Sequence, residues 1–119
     1  MMIDGRTHCL LLNQGMHGDR RLLSEKSVEL MTTNHLTDGQ IAEGGPVLRG
    51  RGWGYGMAVV TDSDSDSDER SAPAGRYGWE GGTGTGWVND PTQALVAIVM
   101  TQTSDFLFNG GMDDFVRSV

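Results

Sequence analysis

The sequence has few of the features that a membrane, a nucleic acid or a disulfide framework requires. Nine Lys and Arg stand against 16 Asp and Glu in 119 residues, a formal charge of -7, so no basic patch is available for nucleic acid or an anionic membrane. The single cysteine, Cys9, excludes an internal disulfide and a cysteine-only metal site. No apolar run approaches the roughly 18 residues of a membrane span, and no signal peptide is visible. We therefore expect no nucleic-acid or membrane partner, no metal, no cofactor and, by default, a cytoplasmic location.

The common sequence signatures of a serine nucleophile are also absent. Lys26 is the only lysine, and the residue three positions before it is Leu23, so a Ser-x-x-Lys motif cannot occur. The Gly-x-Ser-x-Gly elbow is absent as well. The three histidines, His8, His17 and His35, have no metal-ligand spacing. The sequence thus predicts that this chain contains no catalytic residue.

An acidic run, Asp-Ser-Asp-Ser-Asp-Ser-Asp, occupies residues 62–68. Its carboxylates repel one another and no apolar residue is present to bury, which predicts a mobile loop over residues 62–74. Calcium binding is the alternative, although the glycine and the distant glutamate of a helix-loop-helix calcium site are lacking.

What the chain has in quantity is glycine, at 18 positions, and five of these fall between Tyr77 and Trp87. Each glycine in a regular element costs roughly 0.5–1 kcal/mol relative to alanine, so another backbone, a helix or a ligand must come close. One hypothesis is a strand edge whose backbone N–H groups face a substrate carbonyl. The other is a glycine strand that lets a neighbouring element pack closely.

The remaining pattern predicts an α+β fold with an antiparallel sheet of at least three strands flanked by helices. Ser24 is a suitable N-cap for the second helix. The uninterrupted apolar run 94–100 is typical of a strand in the middle of a sheet. In chain order the predicted elements are a helix at 4–14, a helix from Ser24, a loop at 37–50, one strand at 52–61, one strand at 76–88, a strand at 94–100 and a closing helix from Met112.

The order of motifs resembles the C-terminal part of the class C beta-lactamase-like serine hydrolases, which include beta-lactamases, penicillin-binding-protein-like enzymes and carboxylesterases. The likeness runs from about Asp4 to Gln102. The segments that carry it are Leu10-Leu-Leu-Asn-Gln-Gly, Arg21-Leu-Leu-Ser, Val28-Glu-Leu-Met-Thr-Thr-Asn-His-Leu, Gly52-Trp-Gly-Tyr-Gly-Met, Tyr77-Gly-Trp-Glu-Gly-Gly-Thr-Gly-Thr, and Val88-Asn-Asp-Pro leading into Ala94-Leu-Val-Ala-Ile-Val-Met-Thr-Gln.

This resemblance implies a partial beta-lactamase/transpeptidase-like fold, with residues 1–119 as the C-terminal portion of the domain. Trp79-Glu80-Gly81 stands where the family carries Lys-Thr-Gly, and a Trp-x-Gly variant is similar to the esterase-type branches. The match makes Trp79, Gly81, Gly82 and Thr83 the substrate-facing residues, with the N–H of Gly82 as an oxyanion-hole donor. Glu80 departs from the small residue usual there, and we expect it to point to solvent.

The family's Ser-x-x-Lys and Tyr-x-Asn motifs would precede Met1, so we expect this chain to be inactive alone. Its substrate would be a small ester or amide, bound once an N-terminal part completes the site. The alternative is a non-catalytic remnant or interaction module whose exposed strand edges favour self-association.

Overall fold

A computed structural model describes residues 5–61 and 74–119, so that residues 62–73 of the predicted acidic loop lie outside the described part. The predicted α+β class is confirmed. The elements in chain order are helix α1 (Gly5–Leu12), strands β1 (Met16–His17) and β2 (Arg20–Arg21), helices α2 (Glu25–Met31), α3 (Asp38–Glu43) and α4 (Gly45–Leu48), strands β3 (Gly52–Trp53), β4 (Ala58–Val59), β5 (Tyr77–Gly81), β6 (Thr85–Asp90) and β7 (Leu95–Met100), and helix α5 (Gly111–Ser118).

The main sheet is an antiparallel meander of five strands in the order β3-β4-β5-β6-β7, so the prediction of at least three strands is confirmed. Its regular centre is the β5–β6–β7 unit, in which Trp79 lies opposite Trp87 and Trp87 opposite Ile98. Strands β1 and β2 form a separate two-stranded hairpin. Within the described part of the chain, no helix has the length and hydropathy needed to cross a membrane.

Helices cover both faces of the sheet, and alternate residues of β6 show which helix lies on which face. The Trp87 ring stacks on His8 of α1, with 4.0 Å between ring centroids. Its neighbour Gly86 lies against Met112 of α5, which is only 1% exposed. Because successive residues of a strand point to opposite faces, α1 and α5 sandwich the sheet between them. The main apolar core, on the α1 side, consists of Leu11, Val28, Met57, Val59, Tyr77 and Trp87.

The N-cap predicted for the second helix is confirmed. The Ser24 side chain accepts a hydrogen bond from the backbone N–H of Ser27, at 3.0 Å, and α2 begins at the next residue, Glu25. This cap satisfies one of the N–H groups that the first turn of a helix leaves unpaired. Val28 of α2 then reaches the core at 5% exposure.

Outside the glycine-rich stretch, three sequence-based assignments of elements are wrong. Residues 37–50 are not a loop but hold α3 and α4, and α3 begins with a capping box between Thr37 and Gln40. The predicted single strand at 52–61 is the two-stranded hairpin of β3 and β4. The strand at 94–100 lies at the edge of the sheet and not in its middle, since only β6 pairs with β7 among the described strands.

The β3–β4 hairpin is bent toward α2 by hydrogen bonds at its turn. The N–H of Gly54 donates to the carbonyl of Met57 at 2.9 Å, and the N–H of Tyr55 donates to the carbonyl of Met31 at 3.0 Å. The bond from Tyr55 also satisfies the carbonyl of Met31 at the end of α2. As a result, residues 54–57 form the turn between β3 and β4 and do not extend β4 alongside β5.

Candidate functional site at the open edge of strand β5

The glycine-rich stretch is a hairpin and not one continuous strand, which corrects the predicted strand at 76–88. Gly81 ends β5 and lies opposite Thr85, which begins β6. Between them, the N–H of Gly84 donates to the carbonyl of Gly81 at 3.3 Å, and Gly84 has a φ of 87°. This is a three-residue hairpin loop that closes with a left-handed residue, which explains the glycine at position 84.

The second half of β5 has a free backbone edge on the β4 side. Strand β4 pairs only with Tyr77 and Gly78, and residues 79–81 have no described strand beside them on that side. The N–H of Val60 donates to the carbonyl of Arg76 at 2.8 Å. Because antiparallel strands bond through alternate residues, Arg76, Gly78 and Glu80 direct their backbone groups to this side. The N–H and carbonyl of Glu80 therefore face an open edge.

Gly82 continues this edge into the hairpin turn. It is exposed, and no backbone hydrogen bond from its N–H occurs within residues 5–61 and 74–119. A Cβ placed on it would meet no heavy atom within 4 Å, so the space around it is open. An N–H donor in such a position is available to a ligand oxygen.

Aromatic side chains and an arginine form a wall beside the open edge. The rings of Trp53 and Trp79 meet edge to face with 4.8 Å between centroids, and the Arg51 guanidinium carbon lies 5.4 Å from the centroid of the Trp79 ring. Edge-to-face and cation–π contacts of this kind hold an aromatic ring in one orientation. Trp79 is thus a half-buried, fixed ring at the start of the open edge.

Glu80 does not point to solvent as expected. Arg51 binds it with both terminal nitrogens, Nη1 to Oε1 at 2.8 Å and Nη2 to Oε2 at 3.2 Å. The Arg51 and Glu80 side chains are only 21% and 12% exposed. The carboxylate is therefore occupied by a two-point ion pair, and the same guanidinium lies against Trp79.

The structure divides the four predicted substrate-facing residues between two positions. Trp79 and Gly81 belong to β5, whereas Gly82 and Thr83 lie in the exposed turn. Sequence reasoning missed Arg51 and Trp53, which come from a segment 26 or more positions away from Trp79. In the sequence, the feature that indicates a charged partner for Glu80 is the arginine immediately before Gly52 and Trp53.

A buried ion pair joins the start of β5 to the end of β6. Arg76 donates through Nε to Asp90 Oδ2 at 2.8 Å, and its Nη2 donates to the carbonyl of Val119 at 2.6 Å. Burial raises the pKa of Asp90, but hydrogen bonds from Thr92, Arg76 and Gln93 outweigh it and lower the pKa to about 2. Asp90, at the end of β6, is therefore a buried anion paired with Arg76, which precedes β5 and also binds the backbone of Val119.

Tyr77 and Asn89 form a second buried polar contact, on the α1 side of the sheet. The Asn89 side-chain amide donates to the Tyr77 hydroxyl at 3.2 Å and to the carbonyl of His8 at 2.8 Å. Burial raises the pKa of Tyr77, and the hydrogen bond from Asn89 offsets part of that rise. Tyr77 therefore stays a neutral phenol near neutral pH and acts as a packing residue of the core.

Most glycines of the hairpin are explained by close packing. A Cβ on Gly78 would lie 2.0 Å from the carbonyl oxygen of Trp87, and one on Gly86 would lie 2.8 Å from the Met112 side chain. Both distances are shorter than van der Waals contact. At Gly78 the contact is with backbone, which requires glycine, whereas at Gly86 it is with the flexible end of the Met112 side chain. Gly82 differs because neither packing nor a positive φ requires a glycine at that position.

These features define an α+β fold similar to that of a beta-lactamase-like hydrolase. The solved structure of EstCE1, "a hydrolase with promiscuous acyltransferase activity", superimposes on 92% of this chain with a TM-score of 0.68 and 24% sequence identity. The chain spans only 26% of the length of EstCE1. No protein-family model matches the chain, and no curated protein matches it in sequence.

Proposed function

We propose that this chain supplies the substrate-facing strand of a serine hydrolase, related to beta-lactamases and of the esterase type, whose nucleophile lies outside residues 1–119. The observation that carries the proposal is the open edge of β5 from Trp79 to Gly82. There β5 pairs with β6 on one side only, and on its β4 side it presents the backbone groups of Glu80 beside a fixed aromatic wall. The fold likeness to EstCE1, whose title describes a hydrolase, supports a hydrolase relationship for the chain.

In this role the N–H of Gly82 donates to the oxygen of a substrate carbonyl as negative charge develops on it. Trp79 lies where a lysine would attract a substrate carboxylate in the penicillin-cleaving relatives, so an uncharged ester fits this wall better than a penicillin. Donors of this type stabilise the transition state and not the nucleophile, so alone they give only residual rate enhancement.

The first test is hydrolysis of p-nitrophenyl butyrate by the purified chain. We expect a rate equal to that of buffer, because the nucleophile is not among residues 1–119. Hydrolysis well above buffer that is abolished by a serine-directed phosphonate would overturn the proposal, since the chain would then contain its own nucleophile.

The second test moves the β5–β6 hairpin, residues 77–90, into the aligned segment of EstCE1. We expect the chimera to keep ester hydrolysis within about tenfold of EstCE1, because the edge supplies backbone groups that do not depend on the host sequence. The melting temperature of each chimera shows whether it is folded. A folded chimera without activity contradicts the proposal, and a control graft of the β1–β2 hairpin, residues 16–21, shows whether any inserted hairpin gives the same result.

A further inference from the structure

Arg51 places a positive charge beside the aromatic wall of Trp53 and Trp79. It precedes β3, which lies on the β4 side of β5 in the sheet order, so its side chain approaches β5 from the open side. The guanidinium carbon lies 5.4 Å from the centroid of the Trp79 ring. A cation in this position is attracted by the negative face of an indole ring. The wall therefore combines two aromatic rings with one formal positive charge.

The Arg51 guanidinium is held in place by three hydrogen bonds from three different nitrogens. Nε donates to the carbonyl of Leu48 at 2.9 Å, and the two terminal nitrogens donate to the two carboxylate oxygens of Glu80 at 2.8 and 3.2 Å. A guanidinium bound at both ends of its fork keeps one position and one orientation. Its charge is therefore a fixed feature of the wall, and Glu80 supplies the matching negative charge.

The net charge at the wall is set by this one pair. Arg49, two residues before Arg51, pairs with Asp113 of α5 at 3.3 Å. Among residues 5–61 and 74–119, no other lysine or arginine lies over a ring of the wall. Because Arg51 and Glu80 are mostly buried, water and salt screen their charges less than those of an exposed pair. Loss of the Glu80 carboxylate would therefore leave one incompletely screened positive charge beside Trp79.

We propose that Glu80 is a specificity-determining residue, which neutralises Arg51 so that the wall selects esters whose acyl chain is uncharged. Without its carboxylate, Arg51 becomes available to a substrate carboxylate through the same two terminal nitrogens, and the preference shifts to anionic acyl chains. Glu80 acts on the substrate through Arg51 and takes no part in the reaction itself. The claim about substrates rests on the proposed hydrolase role, whereas the charge balance at the wall does not.

Tryptophan fluorescence quenching of the purified chain measures the charge at the wall. Of the three tryptophans, Trp53 and Trp79 are half-buried and Trp87 is only 4% exposed, so a collisional quencher reports mainly on the wall. We expect Glu80→Gln to raise the quenching constant of iodide and to lower that of caesium, each by about twofold at constant ionic strength. Arg51→Gln leaves the carboxylate alone and is expected to change both constants in the opposite direction.

The opposite signs separate an effect of charge from a loosening of the fold. A looser fold would raise the quenching constants of iodide, caesium and uncharged acrylamide together, in either variant. Lys26→Gln and Glu29→Gln are the matched controls, because they change the charge in the same way in an exposed pair of α2 and are expected to leave all three constants unchanged. Changes of the same sign in Glu80→Gln and Arg51→Gln, or changes no larger than those of the controls, overturn the proposal.

Substrate selectivity is tested in a chimera that carries this chain in place of the aligned segment of EstCE1. The two substrates are p-nitrophenyl hexanoate and the mono-p-nitrophenyl ester of adipate, which ends the same six-carbon acyl chain in a carboxylate. We expect Glu80→Gln to raise kcat/KM for the adipate ester relative to the hexanoate by about tenfold, mainly through KM, and the added change Arg51→Gln to reverse this.

The two ways of failing are distinguishable in this chimera. A folded, active chimera whose selectivity does not respond to Glu80→Gln, or responds equally without Arg51, overturns the role of Glu80 and leaves the hydrolase role standing. A folded chimera that is inactive on both esters contradicts the hydrolase role and with it the claim about substrates. The quenching constants then still decide whether Glu80 neutralises Arg51 at the wall.

Discussion

Glu80 shows how one unusual residue in a motif is accommodated by a distant partner. The Arg51 guanidinium pairs with the Glu80 carboxylate and lies against the Trp79 ring, so one side chain fixes two consecutive residues of β5. Nothing in the local pattern around Glu80 indicates this, because the partner lies 29 positions earlier. The Arg51–Glu80 ion pair therefore stabilises the open edge and is not part of its exposed surface.

Glu80→Gln is expected to lower the free energy of unfolding by about 1–2 kcal/mol, because it leaves the half-buried Arg51 without a charged partner. Glu29→Gln is the control, since the Lys26–Glu29 pair is 70% and 64% exposed and such a pair contributes about 0–0.5 kcal/mol. Urea denaturation of both variants measures the difference. Equal effects would mean that the Arg51–Glu80 pair contributes no more than a surface pair.

Asp90 gives a pH dependence whose direction follows from its pKa. The folded-state pKa of about 2 lies below the ordinary value of 3.8, so the stabilisation is complete above about pH 4 and is lost as the pH falls toward 2. The shift corresponds to about 2 kcal/mol. We expect Asp90→Asn to be less stable than the wild type at pH 7 and the difference to shrink between pH 4 and pH 2. Thermal unfolding across this range measures it, and a constant difference would contradict the assignment.

At the scale of elements, the hairpin glycines divide into required and permissive positions. Gly78→Ala is expected to destabilise the chain by about 2 kcal/mol or more, because a Cβ there would collide with the backbone of β6. Gly82→Ala is the matched control, and its Cβ enters open space, so it is expected to change stability by less than about 1 kcal/mol. Chemical denaturation of the two variants compares them directly. Comparable losses would show that the hairpin tolerates no side chain at either position.

The sequence predicts elements well where the signal is local, and poorly where it depends on neighbours. Ser24 marks the start of α2 because an N-cap needs only its own first turn. The capping box of Thr37 and Gln40 is equally local, but the glycine and polar residues of the same segment predict a loop. The β3–β4 turn could not be predicted, because the hydrogen bond from Tyr55 to Met31 that shapes it comes from a distant element.

The position of β7 illustrates a different limit of sequence reasoning. An uninterrupted apolar run predicts a strand that is covered on both faces, in the middle of a sheet, whereas Leu95–Met100 has one neighbouring strand among the described residues. The composition of β7 is therefore typical of a strand in the middle of a sheet, but the part of the chain that the structure describes supplies only one neighbour, β6.

At the scale of the whole molecule, the sequence predicts the α+β class and the antiparallel sheet, and both are confirmed. The structure adds that α1 and α5 lie on opposite faces of the sheet, that the glycine stretch is a hairpin, and that β5 has an open edge beginning at Trp79. The role of Gly82 stays a prediction, although the structure leaves its N–H exposed and free of backbone partners within the described residues. The open edge of β5 acts as the proposed site only if that N–H stabilises a reacting oxygen.

The most direct measurement is kcat for ester hydrolysis by the EstCE1 chimera carrying residues 77–90, with Gly82→Pro compared to Gly82→Ala. Gly82 is the second residue of the turn that starts at Gly81, a position where proline is favoured, so Gly82→Pro removes the N–H while keeping the turn. We predict that Gly82→Pro lowers kcat by on the order of 10²–10³ at an unchanged melting temperature, whereas Gly82→Ala leaves kcat nearly unchanged. Equal kcat values for the two folded variants would contradict the account.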